Sequence, residues 1–323
     1  KLRNNKNYNE IEKYKEVNSE LVKNILDEAA KLNQNIILPL AKKGDENPTI
    51  LENGVVRTPP GYKEAYTKFI EDGWTSLSCD PKYGGQGMPK TVSAFFDEML
   101  SSASLSFKLY SELSIGAYNC INHHASEEIK NKYLPKIVEG KWSGTMCLTE
   151  PVCGTDLGLL KTKAEEQTNG TYKISGQKIF ISAGDKQYLD NIVHLVLARI
   201  EGAPKGTKGI SLFIVPKNRK NENGSLEPND VTSVADFQKM GQKGYCTTHL
   251  GFGDKEDCRG WLVGEENKGL SYMFMMMNAA RIGVGRAASA IASAAYYASL
   301  KYANERPQGR KLLSDGKKNV EES

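Results

Sequence analysis

The chain has 323 residues, 39% of them hydrophobic, 25% charged and 8% aromatic. That length exceeds what one hydrophobic core usually serves, so two or three globular domains are expected. A formal net charge of +4 with both signs interspersed gives no ground for nucleic-acid binding, and no apolar run is long enough to cross a bilayer.

In chain order, the segment from about Ile11 to Ile137 reads as helical. "YKEVNSELVKNILDEAAKL", "TVSAFFDEMLSSASLSFKLY" and "SEEIKNKYLPKIVEG" carry apolar residues at three- and four-residue spacing. Ser126 is a helix-start signal and Gly140 a stop. "DPKYGGQGMPK" between the helices is a turn-rich loop. After Lys141 the texture changes. "GTYKISGQKIFISAG", "NIVHLVLARI" and "GISLFIVPK" are short β-branched and aromatic runs closed by turn residues. Such strands in succession predict an antiparallel sheet or barrel, with the charged "KNRKNENGSLEPND" as a solvated hairpin connection. From Gly269 the Ala- and Met-rich run is helical again.

The expected fold class is therefore α+β and multidomain. An N-terminal α-helical domain would span 1–141, a middle antiparallel β-barrel domain 142–266, and the first part of a C-terminal α-helical domain 267–323. The chain opens on Lys1 and stops at "GKKNVEES", which reads as a fragment of a longer protein whose targeting signal would lie outside it. Six cysteines without a C-x-x-C pair point to reduced thiols in an intracellular compartment, mitochondrial or cytoplasmic. His123 and His124 are adjacent, the wrong spacing for a metal pair on one helical face, so no metal site is expected.

The stretch with most chemistry in it is "GTMCLTEPVCGTDLG", Gly144 to Gly158, at the seam between helical and β textures. Seams between domains favour ligand clefts. Gly154 and its neighbours can turn backbone N–H groups toward a phosphate or an electron-rich ring edge, and Thr149 and Thr155 add hydroxyls. The competing reading is a strand-edge turn in which Asp156 caps its own backbone. Phe180, in a β run, reads on its own as a core residue more readily than as a ligand contact. "GVGRAA" lies in a helical run without a third glycine, so it is no dinucleotide fingerprint.

Taken in order and spacing, "GTMCLTEPVCGTDLG", "YKISGQKIFISAGD", "GWLVGEENKGL", "AARIGVG" and "YANERPQGR" resemble the acyl-CoA dehydrogenase superfamily. "GYKEAYTKFIEDGW", "DPKYGGQGMP" and "ERPQGR" look closest to its 3-(methylthio)propanoyl-CoA dehydrogenase branch. The resemblance implies the acyl-CoA dehydrogenase fold, with FAD between the β domain and the second helical domain. It implies that Met146, Cys147, Leu148, Thr149, Gly154 and Thr155 line the flavin, that Phe180 and Ile181 lie against it, and that Ser182 donates toward flavin N5. Arg306 and Gln308 would reach the FAD of a neighbouring protomer in a homodimer or homotetramer. Thr155, Asn278 and Arg281 would serve the acyl-CoA substrate, Arg281 as a buried, paired arginine. An electron-transfer flavoprotein would take the electrons.

The implied reaction removes a Cα proton from an acyl-CoA thioester and passes the Cβ hydride to flavin N5. Its carboxylate base is not identifiable here. The position where a minority of the family carries a Glu is Ala280, so the base is expected beyond residue 323. Glu150, before Pro151, reads as structural. "MFMMMNAARIG" reads equally as an acyl-binding wall or a buried helix face. Val152 and Cys153 depart from the family pattern, as does "MGQKGYCTTHLGFGD". An oxygen-using acyl-CoA oxidase and a catalytically inactive flavin- or acyl-CoA-binding scaffold are the alternatives.

Overall fold

A computed structural model describes residues 10–221, 223–306 and 309. Helix α1 (Ser19–Leu32) begins where the Asn18 side chain accepts from the Leu21 N–H at 2.8 Å, and a π-helical turn (Asn33–Ile37) carries it into α2 (Leu38–Glu46). The apolar spacing extended this helix back to Tyr14; the Asn18 cap moves its start. The helical texture is then interrupted by a hairpin that periodicity missed, β1 (Ile50–Glu52) with β2 (Val55–Arg57). Asn53 and Gly54 both take positive φ in its two-residue turn, the backbone that matches strand twist.

Helices α3 (Tyr62–Glu71), α4 (Lys90–Ala103), α5 (Leu105–His124) and α6 (Glu127–Val138) follow. The run "TVSAFFDEMLSSASLSFKLY" is two helices, because extended Ser104 closes α4 and caps α5 through the Phe107 N–H. Ser126 caps α6 and Gly140, at φ 74°, follows its end, as the sequence indicated. The core here is aromatic, with Tyr62, Tyr66, Phe69, Phe96, Phe107 and Tyr110 buried together.

The β part comprises β3 (Trp142–Cys147), β4 (Lys163–Glu166), β5 (Tyr172–Ser182), β6 (Asn191–Ile200), β7 (Ile210–Pro216), the pair β8 (Asn218–Lys220) and β9 (Leu226–Pro228), β10 (Val231–Asp236), β11 (Thr247–Phe252) and β12 (Arg259–Leu262). The main sheet runs β10-β11-β5-β12-β7-β6-β3, and β4 bridges β5 to β6, closing β5, β12, β7, β6 and β4 into a ring. Most pairings are antiparallel. The β3–β6 and β4–β6 pairings are parallel, made possible by the long connections that return the chain to the same end of the sheet. Every residue of β7 is buried, which explains its unbroken apolar run. Helix α7 (Gly269–Glu305) packs across α4, α5 and β7. Among the described residues no helix is long and apolar enough to cross a membrane.

Two neighbouring charged residues join the helical and β parts. The buried Asp185 carboxylate accepts from the Val56 N–H at 3.2 Å, the Lys186 N–H at 2.8 Å, the Ser233 hydroxyl at 2.8 Å and Lys217 Nζ at 2.5 Å. It thus fixes the β1–β2 hairpin to the sheet. Lys186 is buried beneath the rings of Tyr66 and Tyr110, 5.0 and 4.9 Å from its ammonium, and donates to the Tyr110 carbonyl at 3.1 Å. Burial lowers its pKa to about 7.

Replacing Asp185 with Ala should lower unfolding free energy by about 3–5 kcal/mol, because it strands the Lys217 charge and several donors; urea unfolding reads this. For Lys186 the folded chain releases its proton near pH 7, while the unfolded chain holds it to the ordinary 10.5. The unfolded state therefore binds more protons between those values, and stability rises with pH there by up to about 1.4 kcal/mol per pH unit. Lys186→Met should abolish that rise in unfolding free energies measured at pH 7, 8 and 9.

Candidate ligand cleft between the helices and the sheet

Strand β3 is pressed against α5 at Gly144, where a Cβ would lie 2.3 Å from that of Ala117, and the Gly144 N–H donates to the Ser114 hydroxyl at 3.1 Å. The two-residue alternation of a strand then sends Met146 and Leu148 toward α5 and α7 and Cys147 into the sheet. Cys147 is fully buried with its thiol 3.4 Å from the Thr145 hydroxyl, and burial pushes its pKa up to about 12. Its side chain faces away from the cleft, so only its backbone is left to serve a ligand there.

Beyond β3 the chain is held by Glu150. Its buried carboxylate accepts from the Lys161 and Thr162 N–H groups at 2.7 and 3.0 Å, the Thr162 hydroxyl at 2.6 Å and Lys178 Nζ at 2.9 Å. Lys178, wholly buried on β5, also donates to the Leu148 carbonyl at 3.0 Å. Burial on its own would raise the Glu150 pKa; the Lys178 charge and the Thr162 hydroxyl outweigh it and hold the carboxyl below its ordinary 4.5. Glu150 is structural, as the sequence reading had it. Past the Glu150–Cys153 bridge, Gly154 sits against Thr149, and the Asp156 side chain accepts from the Gly158 N–H at 3.1 Å. The self-capping turn is therefore real, confined to the end of the stretch.

Strand β5 completes the same rim. The Ile179 N–H donates to the Thr149 carbonyl at 2.9 Å, and the pairing of β5 with β11 shifts register between Thr248 and Leu250. At that bulge Phe180 adopts φ 58°, a left-handed backbone uncommon for an aromatic residue. Its ring is 56% exposed and 4.7 Å from that of Phe237, so Phe180 is not a core residue. Backbone strain that displays an aromatic at a cleft is a mark of function.

The cleft is a cavity of about 610 Å³ walled by Leu105, Leu109 and Leu113 of α5 and by Met277, Ala280 and Val284 of α7. It brings together Met146, Leu148, Thr149, Phe180, Ile181 and Ser182. Gly154 and Thr155 are exposed on the loop behind Thr149 and do not line it. Asn278 and Arg281 are exposed on α7, 3.2 Å apart, with the guanidinium 5.9 Å from the Phe274 ring, so Arg281 is not buried as expected. Arg306 ends α7 with its guanidinium on the Tyr302 hydroxyl. Gln308 lies outside the described residues. The Met-rich run divides, Met273 and Met276 entering the core and Met277 the cleft. Glu112, Gln242 and Tyr245 also line the cleft and were not singled out from sequence. The Leu105, Leu109 and Leu113 stripe was the available signal for this face of α5.

Among the described residues the hydroxyls of Thr149 and Ser182 make no hydrogen bond, and Thr247, opposite Ser182 in the β5–β11 register, has a buried hydroxyl without a partner. Unmet polar atoms on one rim, an exposed aromatic beside them and aliphatic walls opposite fit a flat ring system with a polar edge.

The N-terminal domain of acyl-CoA dehydrogenases matches residues 19–141, and the middle domain of the same enzymes matches 145–254. The chain belongs to the acyl-CoA dehydrogenase family. It is 42% identical over 301 residues to 3-methylmercaptopropionyl-CoA dehydrogenase of Ruegeria pomeroyi, covering 93% of this chain and 51% of that one. It is 32% identical to the short-chain-specific acyl-CoA dehydrogenase of Clostridium acetobutylicum, covering 91% and 70%. The acyl-CoA dehydrogenase of Bacillus anthracis, solved in complex with FAD, superposes with a TM-score of 0.73 at 27% identity, over 91% of this chain and 46% of that one. The chain thus spans about half the length of the first of these relatives. The family resemblance read from the motifs is borne out.

Lys178→Met should cost about 3–5 kcal/mol of stability by leaving the Glu150 carboxylate buried and unpaired, with K178M/E150Q less destabilised than K178M alone; thermal unfolding of the three proteins reads this. Because the folded Glu150 pKa is depressed, its contribution is present above pH 4.5 and is lost as pH falls through the folded value. Glu150→Gln should therefore be less acid-sensitive than the parent in an unfolding series below pH 5.

Proposed function

We propose that this chain is part of an FAD-dependent acyl-CoA dehydrogenase that oxidises the Cα–Cβ bond of an acyl-CoA thioester to the 2,3-enoyl-CoA. The observation that carries this reading is the cleft, with the Thr149 and Ser182 hydroxyls, unbonded among the described residues, and the strained, exposed Phe180 on one rim, in a chain of this family. The Bacillus anthracis neighbour in complex with FAD supports the choice of cofactor. When bound, FAD supplies the acceptor for the hydride from Cβ, flavin N5.

The residues divide the work. Ser182 would donate a hydrogen bond at that acceptor atom, and a donor fixed in advance favours the charge that gathers there. Thr149 and the backbone from Met146 to Thr149 would hold the polar edge of the ring system, with Phe180 and Ile181 beside it. The α5 leucines and Met277 exclude water from the reacting carbons, strengthening each polar contact within. Thr155, Asn278 and Arg281 would serve the CoA moiety, their exposure suiting a large polar group near solvent. Glu112 is the one carboxylate lining the cleft among the described residues, and Lys108 engages it at 2.6 Å. The proton acceptor for Cα is accordingly sought outside the described residues.

The same proposal takes 1–141 as a helical domain, 142–266 as a β-barrel domain and 267–323 as the opening of a second helical domain. It places Arg306 and Gln308 at the FAD of a neighbouring protomer in a homodimer or homotetramer, an electron-transfer flavoprotein as electron acceptor, and the protein in mitochondrion or cytoplasm.

The test is the visible spectrum of the purified full-length protein, recorded without oxygen before and after addition of acyl-CoA thioesters. A flavin spectrum that bleaches with a thioester is expected, and Ser182→Ala should slow the bleaching about a hundredfold while the flavin stays bound. A protein that takes up no FAD would overturn the proposal. Hydrogen peroxide formed in air at the turnover rate would mark an oxidase instead.

A further inference from the structure

A second cavity, of about 370 Å³, lies beside the cleft where α4 joins α5 and α7. Phe69, Trp74 and Phe96 give it an aromatic wall, and an Asp97–Arg286 ion pair lies on its side. Glu112, Leu113 and Ala280 line both cavities, so these residues form the partition. Ala280 is too small to close it. The Glu112 carboxylate lies there instead, and α7 is packed against it at Gly283, where a Cβ would come within 2.3 Å of Oε1. The carboxylate therefore has no room to swing toward α7. Its counter-ion is Lys108, 1% exposed and 2.6 Å away, which itself lines neither cavity.

We propose that the Lys108–Glu112 pair is a gate between the two cavities that confines the enzyme to short acyl chains. The inference rests on the acyl-CoA dehydrogenase reading above. A hydrocarbon chain growing from the cleft toward the inner cavity has to part the carboxylate from its counter-ion. The other acid of this cluster, Asp97, is held by Arg286, so a displaced Lys108 would be left as a buried, unpaired ammonium. A chain that ends before the pair leaves both charges matched. A longer one gains apolar contact in the inner cavity only by disrupting them. The aromatic wall beyond the gate means that loss of the charges would open a compartment already suited to methylene groups.

The measurement is calorimetric binding of S-butyl-CoA and S-dodecyl-CoA to the full-length, FAD-loaded protein. These thioethers have no thioester carbonyl, so binding is read apart from turnover. The parent protein should bind the butyl compound at least tenfold more tightly. The K108M/E112L variant removes both charges without orphaning either, and should move the ratio at least tenfold toward dodecyl. Equal or tighter binding of dodecyl by the parent overturns the gate without recourse to any variant, and so does an unchanged ratio in a folded K108M/E112L. Binding in the expected ratio without bleaching by any thioester would sustain the gate and overturn the dehydrogenase reading instead. A protein that binds neither compound removes both.

Discussion

The cleft depends on one buried ion pair. Lys178 and Glu150 face each other at 2.9 Å with almost no exposure, one from the middle of β5 and the other from the turn after β3. Neither charge could persist there alone, because burial disfavours each ionised form and the pair is what compensates. With the bonds to the Leu148 carbonyl, the Thr162 hydroxyl and two backbone N–H groups, the carboxylate accepts from four donors and the ammonium serves two acceptors. The turn is thereby locked to β5 in one register. That lock sets Met146, Leu148 and Thr149 on the same rim as Ser182.

The rest of the cleft is a division between apolar and polar surfaces. Apart from Glu112, helices α5 and α7 contribute aliphatic side chains, so they exclude water and impose shape. The sheet contributes the polar atoms, and it does so where its own hydrogen bonding is irregular. The register shift between β5 and β11 displays Phe180, and the neighbouring Thr247 hydroxyl lacks a protein partner. A sheet that kept its ladder intact to the end of β5 would have no bulge to turn that ring outward. The irregularity in the ladder is thus what makes a usable rim.

Ion pairs, buried or partly buried, recur where separate elements meet. Asp185 joins the β1–β2 hairpin to the sheet, Asp97 with Arg286 joins α4 to α7, and Lys108 with Glu112 lies where α5 crosses α7. Such pairs add little net stability compared with well-packed hydrophobes, but an arrangement that separates them is strongly penalised. Apolar surfaces alone tolerate small slides between elements; these contacts do not. Of these groups, Asp97, Arg286 and Glu112 line the two cavities.

The sequence determined what nearest neighbours along the chain can decide. Helical spacing marked α6 and the runs that became α1, α4 and α5, the β-branched runs marked β5, β6 and β7, and Ser126 and Gly140 marked their helix ends. The ordered motifs from Gly144 to Arg310 identified the family. The Asn53–Gly54 turn was also legible, yet the surrounding helical texture hid a hairpin of such short strands. What the tertiary structure decided is which distant residues meet. The alternation of β3 turns Cys147 away from the cleft that Met146 and Leu148 face, although all three lie within one motif. Arg281 resembles a site residue in the string and stands on an exposed helix face in space. Lys108 and Glu112 are four residues apart on one helix, and nothing in their own segment announces that Gly283 of α7, more than 150 residues later in the chain, packs against the carboxylate. Periodicity records which face of an element is apolar; it carries no information about the long-range partner that takes a charged side chain out of water.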